Sequence, residues 1–306
     1  MKIHHDFSSF KEVKNPVLTI GTFDGVHLGH QALLTRMKEL ALEVNGETVV
    51  LTFSPHPRTV LFPEDHGIQL LSDANEKRQF LSDCGVNHLV EFPFTMEFAK
   101  KSAFEYVRDL LVVGMNVHTA IVGYDHRFGR NREGDFQKLL EYADMFQFHV
   151  EEIPAQLVNE SEVSSTKIRN AISVGKVEFA KEATGRNYVL SGTVVHGKGN
   201  GKKIGFPTAN IKISDPLKLI PANGVYVVET NINGINHRGA MNIGTRPTFE
   251  LNGSRSLEVH VIGFHNSLYE QPLQVEFIRK LRDEQNFGSI DALKEQLAKD
   301  IANAIR

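Results

Sequence analysis

Cysteine is almost absent from this chain, since Cys84 is the only one among 306 residues. One cysteine allows neither an intramolecular disulfide nor a zinc cluster built on cysteines, and such usage is typical of the reducing cytoplasm. Long apolar runs are also missing, because no stretch approaches the roughly 18 apolar residues that a membrane-spanning helix needs. Residues 1–16 lack the apolar core of a signal peptide. These absences favour a cytoplasmic location.

The chain also has no large excess of either positive or negative charge. The formal net charge of −3 gives no general reason to expect nucleic acid or an anionic membrane as a partner. Any site for an anion must therefore be local. Hydrophobic residues at 41% and charged residues at 23% are typical of a soluble globular protein, and the length favours about two domains.

The hydrophobic pattern changes its period near Gly185. Up to that point, short apolar runs alternate with amphipathic stretches, which predicts a doubly wound α/β domain with a parallel sheet. The predicted strands are PVLTI, ETVVLTF, NHLVEF, VHTAIVG and FHVEEI. The predicted helices include residues 32–44, SAFEYVRDLLV, GDFQKLLEYADMF, STKIRNAISVG and VEFAKEATG.

From residue 186 onward the segments alternate apolar and polar residues, which predicts a compact antiparallel β-domain. The pair Asn233 and Gly234 is a strong signal for a hairpin turn. Residues 290–305 predict a closing helix, with Ser289 as its N-cap. Its predicted apolar face consists of Ile290, Leu293, Leu297, Ile301 and Ile305. We therefore predict two domains, residues 1–185 and residues 186–306.

Residues 21–30, GTFDGVHLGH, place a glycine-containing turn after the first predicted strand. In a doubly wound sheet, ligands bind beyond the carboxyl ends of the strands, where a helix also begins with free N–H groups. His27 and His30, one turn apart, could both donate hydrogen bonds to a phosphate there. Zinc would need a third ligand that no spacing supplies, and the histidines could also simply pack and cap the helix.

A second stretch, VSSTKIRN from Val163 to Asn170, begins a later predicted helix. Ser164, Ser165 and Thr166 can cap that helix and donate to phosphate, while Arg169 adds charge and a bidentate fork. A cap without any ligand is the alternative interpretation.

Together these two stretches resemble the HxGH signature and the late Ser/Thr-Lys-Ile-Arg element of the nucleotidylyltransferase superfamily. The resemblance implies that His27, His30 and Arg169 are catalytic. It further implies nucleotide binding by Gly21, Phe23, Asp24, Gly25, Ser164, Ser165 and Thr166. TFSPHPR and GYDHRFGRNREG are similar to the flavin branch, which implies flavin binding by Pro55, His56, Pro57, Arg58, Asp125, Phe128 and Arg130. His56 could instead organise its loop, and His126 stands where the family often has Phe.

Residues 192–211, GTVVHGKGNGKKIGFPTANI, resemble both a P-loop and a glycine-rich dinucleotide-binding motif but match neither. Gly199 stands where a P-loop needs Ser or Thr, the glycines miss the dinucleotide spacing, and the run links strands instead of opening a helix. A flexible flap over phosphates remains, formed by Gly197, Lys198, Gly199, Gly201 and Lys202. Thr208 and Asn210 would project from one face, either as hard ligands for the magnesium of ATP or as turn residues.

GKKIGFPTANI, GVYVV, NIGTRPTF and LEVHVIGF resemble riboflavin kinases over essentially residues 187–306, which implies an antiparallel β-barrel with a C-terminal helix. The resemblance implies that Glu258 is the general base, although a lone Glu between apolar neighbours is usually solvent-facing. FIRKLRDEQNF is similar to the segment that closes over the flavin, which implies flavin contacts for Arg282 and Phe287. Lys202 stands where the family flap usually has Arg, which keeps the charge but loses the fork.

In their order along the chain, these features resemble the bacterial family of bifunctional riboflavin kinases and FMN adenylyltransferases. The resemblance implies phosphorylation of riboflavin to FMN by Mg-ATP, then adenylylation of FMN by ATP to FAD and pyrophosphate. The expected partners are thus small molecules, and neither nucleic acid nor a membrane. One alternative is a nucleotidylyltransferase with a single activity and a non-catalytic flavin-binding barrel. Another is a flavin-binding or regulatory protein without turnover.

Overall fold

The computed structural model describes residues 1–10, 12–64, 67–153, 163–197, 199–245 and 255–305. Contacts between Cα atoms divide the chain into two compact units. The first contains Met1–Ile68 and Ser72–Ser165, and the second contains Gln69–Leu71 and Thr166–Arg306. Within the described ranges, no helix is long and apolar enough to cross a membrane.

The first unit is built on a parallel sheet of six strands. Strands β1–β6 are Lys2–His4, Val17–Ile20, Thr48–Ser54, His88–Pro93, Thr119–Gly123 and His149–Ile153. They lie in the order β1-β4-β3-β2-β5-β6, and every neighbouring pair is parallel. This confirms the predicted doubly wound α/β fold. Because β2 has β3 on one side and β5 on the other, the winding reverses at β2, where such folds form their ligand crevice.

Helices and a buried core cover both faces of this sheet. Helices α1–α6 are Leu28–Glu43, Pro57–Leu61, Ala74–Asp83, Met96–Ala99, Ala103–Tyr106 and Phe136–Phe146, whereas α7, Ser165–Ser173, lies in the second unit from Thr166 onward. The α5 helix continues as a π-helix over Val107–Gly114, which ends two residues after the predicted helix SAFEYVRDLLV. In β3, Val49 and Leu51 belong to one core and Val50 to the other, and all three are fully buried. This two-sided burial explains why the strands are continuously apolar.

The second unit is a closed antiparallel barrel with a C-terminal helix, as predicted. Strands β7–β12 are Tyr188–Val195, Ala209–Lys212, Gly224–Ile232, Ile235–Thr245, Arg255–Val261 and Pro272–Arg282. They close in the order β10-β11-β8-β7-β12-β9. Helices α8–α10 are Glu178–Thr184, Asn200–Lys203 and Ile290–Ile305. Asn233 and Gly234 both have positive φ, at 53° and 84°, as the predicted hairpin turn requires.

Two local predictions in the second unit need correction. The run predicted to link strands without a helix contains the one-turn helix α9. The predicted apolar face of α10 is also shifted, since Ile290 and Ile305 are each 63% exposed, whereas Asp300 and Ala304 are buried. Ser289 caps α10 as predicted, because its Oγ accepts a hydrogen bond from the Ala292 N–H at 3.2 Å.

Residues 166–184 belong to the second unit by their contacts. The N–H of Ala222 donates to the carbonyl of Ile172 at 3.2 Å, and α8 packs on β7 and β12. Residues 69–71 belong there as well. The N–H of Leu70 donates to the carbonyl of Leu217 at 2.6 Å, and the Lys218 ammonium donates to the carbonyl of Leu71 at 2.7 Å. The domain boundary after residue 185 stays a prediction.

Candidate active sites

The turn after β2 has an unusual backbone. Phe23 and Val26 have φ values of 47° and 39°, although neither is glycine. Positive φ is unfavourable for a β-branched residue such as Val26, so the surrounding structure must hold it. Both side chains are buried, and the Val26 carbonyl accepts a hydrogen bond from Gln31 Nε2 at 2.9 Å. Such held strain is common at functional sites.

Buried polar contacts also fix this turn. Asp24 is 1% exposed, and its carboxylate accepts a hydrogen bond from the Ser72 N–H at 3.1 Å. The Gly25 N–H donates to Ser72 Oγ at 3.1 Å. A Cβ at Gly21 would lie 3.1 Å from the ring of Phe23, so that glycine leaves room for the buried ring. Asp24 and Phe23 therefore shape the turn, whatever they contribute to nucleotide binding.

His27 and His30 lie together at the start of α1. Their rings stack with centroids 3.7 Å apart, and His27 Nδ1 accepts a hydrogen bond from the His30 N–H at 3.4 Å. The predicted capping role is thus present for His27. Burial lowers the pKa of His30 well below its usual value, and repulsion from His27 and Lys77 acts in the same direction. His30 is therefore a neutral imidazole near pH 7.

The second predicted nucleotide element reaches the same turn. Ser165, the first residue of α7, donates its hydroxyl hydrogen to the carbonyl of Asp24 at 2.9 Å. Ser164 and Thr166 are exposed on either side of it, and Arg169 follows one helical turn after Ser165. The structure thus brings Ser165 to the turn at Asp24, which lies 141 residues earlier in the chain. Within the described ranges, no group of three His, Cys, Asp or Glu side chains could hold a metal ion.

The first predicted flavin loop follows β3 at the same edge of the sheet. His56 is the N-cap of α2, and its Nδ1 accepts a hydrogen bond from the Arg58 N–H at 3.2 Å. Pro57 is the first residue of α2, while Pro55 and Arg58 are exposed. His56 thus organises its loop, which was the alternative to a flavin contact.

The second predicted flavin loop follows β5. Asp125 and Arg130 are exposed there, but Phe128 is only 4% exposed and belongs to the core. Gly134 pairs with Phe128 through two backbone hydrogen bonds, and a Cβ on Gly134 would lie 2.5 Å from the Phe128 ring. The Phe128 ring thus packs beneath Gly134 and against Tyr106, at a centroid distance of 5.3 Å. A contact between Phe128 and flavin stays a prediction, and packing is the role that the structure describes.

We expect His126 to make the stability of the first unit depend on pH. Desolvation lowers its pKa to about 4, although Asp125 attracts a proton towards it. In the unfolded chain its pKa is about 6.5, so the unfolded state binds more protons as the pH falls through this window. We expect the first unit to lose about 3 kcal/mol of stability through His126 between pH 7 and pH 4. His126→Phe should remove this part of the pH dependence.

The test is the midpoint of thermal unfolding of both proteins across that pH range. His4 and His30 also have lowered pKa values and remain in the variant, so the difference between the two curves isolates His126. Curves of equal slope would show that folding does not lower the pKa of His126.

A cavity of about 610 Å³ lies between the outer face of the barrel and α10. Along β11, Leu257 and Val259 point into the barrel core, whereas Glu258 and His260 alternate with them and line the cavity. The further lining includes Asn242, Arg282, residues 284–289, Leu293, Leu297 and Ile301. Glu258 thus lies on the outer face of the barrel, in the wall of this cavity.

Polar groups converge around Glu258. Its carboxylate accepts a hydrogen bond from Thr208 Oγ1 at 3.2 Å, and Asn210 is its directly paired neighbour on β8. Asn242 pairs with it on the other side, in β10. A Cβ at Gly197 would overlap the amide of Asn210, so the flap backbone comes close to this group. Thr208, Asn210 and Glu258 are therefore brought together. The sequence predicts this proximity for Thr208 and Asn210.

The remaining flap residues are described only in part. Gly199 is exposed with a φ of 68°, and a Cβ at Gly201 would overlap the carbonyl of Phe206. Lys202 lies within α9, and Lys198 lies outside the described residues. Their contact with phosphates stays a prediction.

Arg282 and Phe287 form part of the cavity wall. The guanidinium carbon of Arg282 lies 5.6 Å from the centroid of the Phe287 ring. A second, smaller cavity of about 300 Å³ shares Thr208 with the first and is lined by Phe264 and Tyr269 among others. Two adjacent cavities therefore meet at Thr208.

Comparison with known proteins assigns both halves. Residues 9–167 match the family described as FAD synthetase, and residues 184–306 match the family described as riboflavin kinase. The bifunctional riboflavin kinase/FMN adenylyltransferase of Listeria monocytogenes is 36% identical over 97% of this chain and 94% of its own length. That of Escherichia coli K12 is 38% identical over 93% of this chain and 90% of its own length.

The chain belongs to the family of bifunctional riboflavin kinases/FMN adenylyltransferases. It phosphorylates riboflavin to FMN and transfers an adenylyl group from ATP to FMN, which gives FAD. The alternative of a single activity is thereby set aside. A solved structure described as the macrolide-efflux protein of Streptococcus pneumoniae shares the fold, with 29% identity, a TM-score of 0.90, and coverage of 99% of this chain and 98% of that one.

Some residues of these sites escaped prediction. Ser72 gives no signal in sequence, because it acts on a turn far from it in the chain. Asn242 could have been found as the polar neighbour of Glu258 had the strand register been known. Asp300 gave a usable signal, since it is a charged residue three positions after Leu297 on the apolar face of a helix.

Proposed function

We propose that the cavity of about 610 Å³ binds riboflavin and that Glu258 is the general base of its phosphorylation. The observation that carries this proposal is the position of Glu258 in the cavity wall, in hydrogen-bond contact with Thr208. A cavity of this size fits a small-molecule ligand, and its apolar wall from α10 suits an aromatic ring system. Arg282 and Phe287, which line the same cavity, would contact the flavin as well.

In the proposed step, Glu258 takes the proton of the ribityl 5′-hydroxyl, whose oxygen attacks the γ-phosphorus of ATP. The bond from that phosphorus to the β,γ-bridging oxygen breaks, and ADP leaves. The second cavity supports a separate place for the nucleotide, because phosphoryl transfer requires both substrates to meet at one point. That meeting point is Thr208.

Thr208 and Asn210 are proposed to hold the magnesium ion that accompanies ATP. The fit rests on their chemistry, since hydroxyl and amide oxygens next to a carboxylate form a hard donor set. A bound magnesium ion would neutralise charge on the phosphates. Gly197, Gly199 and Gly201 allow the flap backbone to come close to these groups, and Lys202 would add positive charge.

In the first unit we propose that the phosphate of FMN attacks the α-phosphorus of a second ATP, with pyrophosphate as the leaving group. His27, His30 and Arg169 would stabilise the charge that develops on the phosphates. The N-terminus of α1 and the strained turn support this placement, since backbone N–H groups at a helix start favour anions. The exposed Asp125, Arg130 and Arg58 are proposed to bind the flavin.

We further propose a cytoplasmic location and two separable domains, residues 1–185 and 186–306. The single cysteine supports the first proposal. The match of residues 184–306 to a riboflavin kinase family, and the cavity lined by residues 201–301, support the second.

The separate domains can be tested with two fragments. A fragment of residues 186–306 should convert riboflavin to FMN with Mg-ATP and should never produce FAD, as measured by chromatography of the three flavins. A fragment of residues 166–306 should have the same activity and a higher unfolding temperature. It retains α8, whose Ala180 and Ala183 are buried, and the hydrogen bond from Ala222 to Ile172.

The full chain is the positive control and should yield FAD. FAD from either fragment would refute the assignment of the two activities. So would a fragment that is folded by circular dichroism and binds riboflavin but lacks kinase activity. Equal unfolding temperatures would show that residues 166–185 do not stabilise the barrel.

A further inference from the structure

Asp300 is a buried acid in the wall of the proposed riboflavin cavity. It lies on α10 and is only 2% exposed, although the helix also presents apolar residues to the cavity. A buried carboxylate is strongly destabilising unless other groups compensate its charge. Its partners therefore indicate why it is there.

Two side chains compensate the charge of Asp300. Arg282 Nη2 donates to Oδ2 at 2.8 Å, and Arg282 Nε lies 3.2 Å from both carboxylate oxygens. Gln296, one turn earlier on α10, donates from Nε2 to Oδ1 at 2.9 Å. Such a two-point contact fixes the plane of the guanidinium as well as its position.

The fixed guanidinium in turn contacts the segment of residues 283–289. Arg282 Nη1 donates to the carbonyl of Asp283 at 3.0 Å, and the guanidinium lies over the Phe287 ring. Residues 284–289 all line the cavity. Asp300 is therefore connected to Asp283 and Phe287 of this segment through the side chain of Arg282.

We propose that Asp300 is a positioning residue for riboflavin binding: it holds Arg282, and through it residues 283–289, in the conformation that receives the flavin. This inference rests on the proposed assignment of the cavity to riboflavin. Its physical basis is preorganisation, because a long arginine side chain that is fixed before binding loses less conformational freedom when the ligand arrives. Asp300 need not touch the flavin itself.

A purely structural role of Asp300 would give different results for the variants. In that case Asp300 would only dock α10 onto the barrel, and its loss would lower stability without acting specifically through Arg282. The two roles can be separated by riboflavin affinity, by stability and by a double-mutant cycle.

The test uses the full chain with Asp300→Asn, which keeps the shape of the side chain but removes its charge. The dissociation constant of riboflavin, measured by quenching of flavin fluorescence, should rise about tenfold or more, the effect of one weakened hydrogen bond to a charged group. The KM for ATP and the adenylylation of added FMN should not change. The double variant with Arg282→Met should bind riboflavin no more weakly than Arg282→Met alone.

Two control variants lie on the same helix. Glu295→Gln removes an exposed carboxylate that pairs with Lys299, and it should leave riboflavin binding unchanged. Ala304→Gly removes a buried methyl group away from the cavity, so it should lower the unfolding temperature without weakening riboflavin binding. If Asp300→Asn does not fold, Gln296→Ala replaces it, with an expected loss of about threefold in affinity.

Suppose that Arg282→Met binds riboflavin more weakly than the parent. An unchanged riboflavin affinity of Asp300→Asn would then overturn the inference, and the same holds for Gln296→Ala where that variant is used instead. Additive losses in the double variant would overturn it too, because Asp300 would then act independently of Arg282. If Arg282→Met also binds riboflavin normally, the assignment of the cavity itself has failed, and the inference fails with it.

Discussion

His30→Ala and His27→Asn are expected to lose FMN adenylylation and to keep riboflavin phosphorylation. Asparagine is a good N-cap, so His27→Asn preserves the start of α1 while it removes the imidazole. Removing one donor that stabilises developing charge typically lowers the rate by about 10²–10³. The measurement is FAD formed from added FMN and Mg-ATP, with FMN formed from riboflavin as the internal control.

This pair of variants distinguishes phosphate binding from capping. If His27 only caps α1, His27→Asn should make FAD at the parent rate while His27→Ala does not. His149→Ala is a matched control, since His149 is an exposed histidine on strand β6 of the same sheet. Parent-like FAD formation by both His30→Ala and His27→Asn would show that the stacked histidines are structural.

The fold was largely predictable because burial dictates the pattern of its strands. Val49, Val50 and Leu51 are each fully buried, and such continuous apolar runs predict a sheet covered on both faces. The short strand β1 was not predicted, because only one of its three side chains is buried. That side chain is His4, whose Nε2 lies 2.9 Å from Nδ1 of His88. A polar pair of this kind leaves no hydrophobic signal.

The first site was predictable where its residues are close together in the sequence. His27 and His30 are one helical turn apart, so their proximity follows from the spacing alone. Ser72 was not predictable, because its partners, the Asp24 carboxylate and the Gly25 N–H, are far away in the chain and only folding brings them to it. For Phe128 the sequence predicted a flavin contact, because an aromatic side chain suits a flavin ring. In the structure the Phe128 ring is buried and fills the space that Gly134 leaves by having no side chain.

Glu258→Gln is expected to abolish most kinase activity and to leave adenylylation of added FMN intact. Glutamine keeps the shape of the side chain and can still accept the hydrogen bond from Thr208, so strand β11 should be preserved. It cannot accept the proton of the ribityl hydroxyl, and general-base catalysis typically contributes about 10²–10⁴-fold. Some activity should remain, because phosphoryl transfer also depends on positioning and on charge stabilisation by the metal.

The decisive measurements are kcat for FMN formation and, separately, the dissociation constant of riboflavin. A loss in kcat with normal riboflavin binding is expected, since the proton acceptor acts only as the bond to phosphorus forms. Glu276→Gln is the matched control, because Glu276 lies on the barrel strand β12 and is not among the residues that line the cavity. Full kinase activity of Glu258→Gln would require another base. Loss of FMN adenylylation in the same variant would mean that the substitution damages more than the barrel site.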